Sequence, residues 1–283
     1  MLPALLLAAV PLLGLDWPVE KKLITGTFGE DRGDHFHNGL DIGGGAQEVR
    51  PVLPGDLVFR YDEGEDYTSL PRGVGSFVAF HHSGDLLSIY CHLARGSLGP
   101  VRAGDTATDR IGIIGDTGHA DGRHLHFVVF DEETSTFVNP LSFLPRVPDR
   151  QPPVIRQVLL ALGDQTLALE NGARAPPGAA KVLVEAYDLR EDVRFHWPTA
   201  PYSLRLVLDG RELAKIVFDS LQVREGRMVL GGTGLTVEDL YSPGAMVQFG
   251  AVELRGGESR LLVEVRDFAG NEAAREINFT VKE

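Results

Sequence analysis

Eight of the chain's nine histidines fall between His35 and His126, and their spacing raises the first chemical question. In HFHNGLDIGGG, residues 35–45, His37 and Asp41 lie four positions apart. Asn38-Gly39 and the three glycines that follow argue against a helix here. In extended chain, positions i and i+4 also share a face, so an imidazole and a carboxylate can converge without one. In GRHLHFVVF, residues 122–130, strand alternation puts Leu125, Phe127 and Val129 on one face and His124, His126, Val128 and Phe130 on the other. Two imidazoles side by side on an apolar strand face need partners, because burying them unpaired is costly. A metal ion is a good partner for at least one. In YCHL, residues 90–93, His92 ends a third strand-like run that begins near Leu86.

Two histidines and one carboxylate are a ligand set of catalytic zinc, with the fourth position left to water. His37, Asp41 and one of His124 and His126 supply that set, and spacing does not decide which. The other histidine of the pair and His92 are of the chemical type that takes a proton from an attacking water and stabilises opposing charge. The composition of the site therefore points to metal-assisted hydrolysis. A purely structural zinc site is a poorer match: such sites are usually closed by four protein ligands, often cysteines. Cys91 is the single cysteine, so no intrachain disulfide is possible, and it is expected to be a small buried hydrophobe.

The elements that must position these residues are strands. DLVFR, GSFVAFHH, LLSIYCHL, RIGIIG and HLHFVVF recur between Gly-rich turn signals, and the unit closes at NPLSFLP. RVPDRQPP has the charged, Pro-rich character of a linker. Beyond it, KVLVEAYDL, YSLRLVLDG, MVQFGAV and RLLVEVRDFAGNEAAREINFTV alternate apolar and polar residues, with RDFAGNE as a hairpin turn and TVEDLYSP as a short helix. The expected fold is mainly β: an antiparallel β-sheet domain with an open groove, followed by an immunoglobulin-like β-sandwich. The expected divisions are 1–16, 17–146, a linker at 147–153, and 154–283. The run Leu2–Leu15 is too short to span a bilayer but fits the apolar region of an export signal, so residues 1–16 are expected to be a signal peptide. That places the chain outside the cytoplasm, in the periplasm or cell envelope or secreted, with no transmembrane span in the mature chain. The net charge of −13, with −9 of it in residues 1–150, disfavours nucleic acid as a partner.

HNGLD, YCHL and GDTGHADGRHLHF resemble, in that order, the three motifs of the lysostaphin/LytM-type zinc metallopeptidases, which cut peptide bonds in bacterial peptidoglycan. VRAGD before IGIIGDTG and the closing VNPLSFL agree, and the resemblance covers roughly residues 23–145. It implies that His37, Asp41 and His126 bind one zinc ion, that His124 and His92 are catalytic, and that the substrate is a peptidoglycan peptide. Two stretches depart from the pattern. RYDEGEDYTSLPRGVGS, residues 60–76, is an acidic insertion expected to shape the groove wall, and AGDTATDRIG lengthens a turn. Tyr90, two before His92, and His119, in the loop before the HLH strand, are weaker candidates for substrate contact. His35 is expected to stay outside the ligand set, and His81 and His82 to be turn residues. An alternative is a non-catalytic module of the same family that binds cell wall and activates a separate amidase. Such degenerate members lack some of the five side chains, and all five are present here.

Overall fold

The structure is a computed structural model that describes residues 15–66, 68, 73–100, 110–190 and 198–282. The apolar run at residues 1–14, the lengthened turn around 101–109, part of the acidic insertion, and His196 fall outside that set. Two compact units are distinguished: Met1–Thr25 with Asn38–Val147, and Gly26–His37 with Pro148–Glu283. Among the described residues, no helix is long and apolar enough to cross a membrane.

The first unit is built from β1 (Ile24–Gly26), β2 (Leu40–Ile42), β3 (Glu48–Val49), β4 (Asp56–Tyr61), β5 (Ser76–His82), β6 (Leu86–Leu93), β7 (Gly112–Ile113), β8 (Leu125–Asp131) and β9 (Thr136–Val138). Its main sheet runs β9-β8-β6-β5-β4, all antiparallel, while β3 and β7 form a separate pair. Strand β2 joins the same sheet on β8, and β1 pairs with β2. The apolar face expected of the HLHFVVF strand is the core face. Leu125, Phe127 and Val129 are fully buried, with Leu40, Ile42, Phe80 and Tyr90. Trp17 Nε1–H donates to the Pro145 carbonyl at 2.8 Å, which ties the start of this unit to its end.

Tyr90, expected among the substrate contacts, is a core residue. It has no exposed surface, and its ring packs on Phe127 (5.3 Å between centroids) and edge-on to Phe80 (6.1 Å). Its hydroxyl accepts the Val52 N–H at 2.8 Å. Burial pushes the phenol well above its usual range. His81 and His82 stand at a strand end, as expected, but as the last two residues of β5 rather than as turn residues. His82 is buried between the Pro54 carbonyl (3.0 Å) and the Ser88 hydroxyl (2.7 Å). Cys91 is buried as expected; desolvation first, and the Asp41 charge second, push its thiol up to about 12.

The second unit is also β-rich. It holds β10 (Val154–Leu162), β11 (Gln165–Ala168), β12 (Arg174–Ala175), β13 (Gly178–Tyr187), β14 (Ser203–Leu208), β15 (Arg211–Val217), β16 (Ser220–Arg224), β17 (Arg227–Leu230), β18 (Tyr241–Ser242), β19 (Met246–Leu254), β20 (Gly257–Arg266) and β21 (Glu272–Val281). Two five-stranded sheets run β11-β10-β13-β19-β18 and β12-β21-β20-β14-β15. Alternation gives each sheet one buried apolar face: Val182 and Val184 with Val158 and Leu160 in one, Leu261, Val263 and Val265 with Ile277 and Phe279 in the other. RDFAGNE is the turn between β20 and β21, and TVEDL forms the one-turn helix α1 (Val237–Leu240), closed by a Thr236/Asp239 capping box.

Tyr90→Phe leaves the buried Val52 N–H without its acceptor. It is expected to lower unfolding stability by about 1–3 kcal/mol while leaving metal content unchanged. Denaturant titration and metal analysis of the same preparation check both halves.

Candidate metal centre and flanking histidines

The antiparallel register of β2 against β8 sets Asp41 directly opposite His126, with Leu40 opposite Phe127 and Ile42 opposite Leu125. Facing residues of a pair share a sheet face. The apolar residues therefore go to the core, and Asp41 and His126 go together to the other side. Asp41 Oδ1 lies 2.9 Å from His126 Nδ1. His37 arrives from the loop before β2, and one ligand atom each of His37, Asp41 and His126 lie within 4.8 Å of one another. His37 and Asp41 are buried, at 4% and 5% exposure.

The ring orientations are held from behind. His37 Nδ1 meets the Thr27 carbonyl at 2.7 Å, so Nδ1 carries the proton and Nε2 presents its lone pair to the cluster. The loop bearing His37 is itself tied down. The His37 N–H donates to the Glu30 carbonyl, the Gly29 N–H donates to the His37 carbonyl, and Glu30 Oε1 accepts from the Thr27 N–H at 2.6 Å. His126 Nε2 meets Asn38 Oδ1 at 3.2 Å, and an amide oxygen can only accept. With His126 Nε2–H donating to that oxygen, the Nδ1 lone pair faces the Asp41 carboxylate at 2.9 Å, an arrangement suited to a shared cation. This donor set, two imidazole nitrogens and a carboxylate, fits zinc.

His124 and His92 flank the cluster. His124 Nδ1 meets the Gly122 carbonyl at 3.0 Å, and its Nε2 lies 3.7 Å from Asp41 Oδ1. His92 Nδ1 meets the Thr117 carbonyl at 2.8 Å, and its ring is 4.9 Å from that of His124 and 5.9 Å from that of His126. Desolvation holds the His92 pKa below the usual imidazole value, and His124 adds to that; the bond to Thr117 and the Asp41 charge oppose it. His92 has φ +60, a left-handed conformation rare for any residue but glycine. Strand alternation would point it to the core beside Tyr90. The left-handed backbone breaks the alternation and turns the ring to the metal side instead. The strained residue is held by its His92 N–H to Val74 carbonyl bond (3.0 Å) and by the Gly115 N–H to its own carbonyl (2.9 Å).

The structure thus brings together all five residues expected at the centre. His119 is exposed and lines an open pocket of about 540 Å³ with Glu63, Arg95, Asp116, Thr117 and Arg123. Glu63 comes from the acidic insertion, and its carboxylate accepts from the Gly118 N–H at 3.1 Å. His35 is exposed and bonded to Asp34, outside the cluster. Sequence reasoning missed Asn38, although it stands inside HNGLD next to a ligand, and it missed Thr27 and Thr117, whose contributions are backbone carbonyls with no sequence signal. Gly39 is required by close approach: a Cβ there would stand 2.6 Å from the Phe127 carbonyl and 2.7 Å from His126 Cε1.

Gly39→Ala is therefore expected to displace the His126 ring and empty the centre of metal while the β circular-dichroism spectrum persists. Asn38→Ala is expected to weaken zinc by about 10–100-fold. Zinc titration against a competing chelator checks both.

The description Peptidase family M23 matches residues 35–140. A separate family model without a descriptive name matches residues 152–282. Murein hydrolase activator NlpD of Escherichia coli is 32% identical over 143 residues, which is 49% of this chain and 33% of that protein. The chain thus spans about a third of the length of that curated relative. A zinc-containing peptidase from Vibrio cholerae aligns at 22% identity and TM-score 0.37, covering 48% of this chain and 41% of that one. The catalytic domain of lysostaphin from Staphylococcus simulans aligns at 21% identity and TM-score 0.33, covering 41% and 87%. Residues 35–140 thus match peptidase family M23, and within them lies a His-Asp-His cluster suited to a metal.

Proposed function

We propose that the chain is a zinc-dependent endopeptidase that hydrolyses peptide cross-links of bacterial peptidoglycan. The observation that carries this reading is the meeting of His37, Asp41 and His126 with two further histidines, each ring anchored through Nδ1 or Nε2 and aimed at the same centre. His37, Asp41 and His126 hold the ion. Zinc bound there supplies a Lewis acid for the scissile carbonyl and a water made acidic by coordination.

The remaining chemistry belongs to the chain. His92, kept neutral by burial, has Nε2 available because Nδ1 is committed to Thr117; it accepts the proton of the attacking water. His92 then delivers that proton to the leaving amine, and His124, held by the Gly122 carbonyl, flanks the developing oxyanion. The pocket lined by Glu63, Arg95, Asp116, His119 and Arg123 receives the flanking part of the peptide, whose amino and carboxylate groups its mixed charges match.

The same reading locates the protein in the cell envelope, with residues 1–16 as export signal, 17–146 as the catalytic domain, 147–153 as linker and 154–283 as an immunoglobulin-like sandwich. One observation favours a second reading, a non-catalytic activator of a separate wall hydrolase: the curated relatives are named murein hydrolase activators.

Purified peptidoglycan separates the two. The first reading expects soluble muropeptides, loss of activity with a zinc chelator, and recovery on adding zinc. His92→Ala is expected to keep metal and lose about 10²–10⁴-fold in turnover, whereas His37→Ala loses the metal itself. Mass spectrometry of the fragments names the bond. A metal-loaded protein that releases nothing alone, yet accelerates an added amidase, establishes the activator instead.

A further inference from the structure

The second unit gathers carboxylates in its interior. Asp149 precedes β10, Asp188 follows β13 and Asp267 follows β20. One oxygen of each lies within 4.8 Å of the others. Asp188 and Asp267 are 5% and 1% exposed, and the Asp149 side chain is 1% exposed. Two oxygens bound to one calcium at 2.3–2.6 Å stand at most about 5 Å apart, so this spacing suits a shared ion.

The hydrogen bonding around the cluster is incomplete in one direction. Asp267 Oδ1 accepts from the Gly270 and Asn271 N–H groups at 2.6 and 2.8 Å, and its Oδ2 accepts from Asn271 Nδ2 at 2.7 Å. Asp149 Oδ1 accepts the Gln151 N–H at 3.1 Å. Asp149 Oδ2 and Asp188 Oδ1, by contrast, are buried with no hydrogen-bond donor among the described residues. A buried anionic oxygen without a donor is expensive.

Thr199 gives an independent indication. It is 3% exposed, and its hydroxyl has no partner among the described residues. Asp188 and Thr199 are a mutually bonded antiparallel pair, N–H to carbonyl at 2.8 and 3.1 Å. Their side chains therefore leave the backbone on the same face, which directs the idle hydroxyl into the carboxylate cluster. Charge points the same way. Arg190 stands 3.6 Å from Asp149 Oδ2. Among the described residues, three ionised carboxylates against the Arg190 guanidinium carry a net charge of −2, which one dication cancels. Burial first, then the Asp267 and Asp149 charges, push the Asp188 carboxyl up to about 7.

We propose that Asp149, Asp188, Asp267 and the Thr199 hydroxyl form a binding site for a hard divalent cation of the calcium type. Every donor is oxygen, the chemistry of calcium and magnesium rather than of zinc. Bound there, the ion pins together the entry into β10, the end of β13 and the β20–β21 turn. This proposal is independent of the peptidase reading, because none of its residues belongs to the His-Asp-His centre.

The test uses the full chain carrying one equivalent of zinc, titrated with calcium or magnesium by calorimetry and by thermal melting. One calcium per chain and a raised melting temperature are expected. Asp188→Asn should weaken calcium by about tenfold or more, Thr199→Val should weaken it less, and Asp41→Ala should leave it unchanged. Circular dichroism of each variant confirms folding. Should Asp188→Asn fail to fold, the parent titration and Thr199→Val decide. No binding of either ion at millimolar concentration overturns the proposal, as does binding that survives Asp188→Asn in folded protein. A parent with no calcium response, together with an Asp188→Asn variant more stable than the parent, identifies a protonated carboxylate cluster and also overturns it.

Discussion

The registration of a three-residue strand against β8 is the constraint on which the candidate centre rests. Because side chains alternate along a strand, a slip of β2 by one residue against the fixed β8 would send Asp41 into the core and bring Leu40 and Ile42 out, away from His126. The register is held by burial: Leu40, Ile42, Leu125 and Phe127 are all fully enclosed. The apolar face thus carries the energy and the polar face inherits its geometry. At roughly 25 cal/mol per Å² of apolar surface, those four side chains outweigh what a metal-free histidine–aspartate pair could enforce. The fold therefore presents the ligands before any ion arrives.

His92 follows the opposite logic. Its strand partner register places Tyr90 against Phe127 and Cys91 against His126, so ordinary alternation would commit His92 to the core. A left-handed backbone redirects it, at a local cost of about 1–3 kcal/mol. That cost is carried by surrounding bonds from Val74, Gly115 and Thr117. Gly75, also at positive φ, lies against Thr117: a Cβ there would sit 2.3 Å from the Thr117 hydroxyl oxygen. Strain and close packing thus converge on the residue assigned the proton-transfer role. A relaxed extended backbone would have left that imidazole out of reach of the centre.

This contrast explains which parts were legible in the sequence. Alternation along GRHLHFVVF gives the two faces of β8, and the spacing of His37 and Asp41 gives their convergence, because both follow from strand periodicity. Tyr90 was misplaced by the same periodicity: two residues from His92 means a shared face only while φ stays negative. Asn38 was passed over because an asparagine before glycine reads as turn chemistry, while its amide oxygen also fixes the His126 tautomer. The carbonyls of Thr27 and Thr117 carry no residue-type signal at all. In the second unit, alternation disclosed the strands and RDFAGNE disclosed its turn. The gathering of Asp149, Asp188 and Asp267 from positions up to 118 residues apart required the fold.

Both clusters bury carboxylate where an apolar contact would be cheaper, and they differ in what surrounds it. Asp41 faces two imidazoles whose second nitrogens are already committed to Thr27 and Asn38, which leaves nitrogen lone pairs as the companions of its oxygen. Asp188 faces two more carboxylates, with a guanidinium at the edge. Nitrogen donors favour a borderline ion that accepts four ligands, and an all-oxygen shell favours a larger, harder one that accepts six or more. Two cations can then occupy one chain without competing, because the donor atoms sort them. The first cluster has His92 and His124 at its side, as the proposed hydrolysis needs. The second is enclosed, so its ion would exchange slowly and act on the stiffness of the β-rich unit rather than on a substrate.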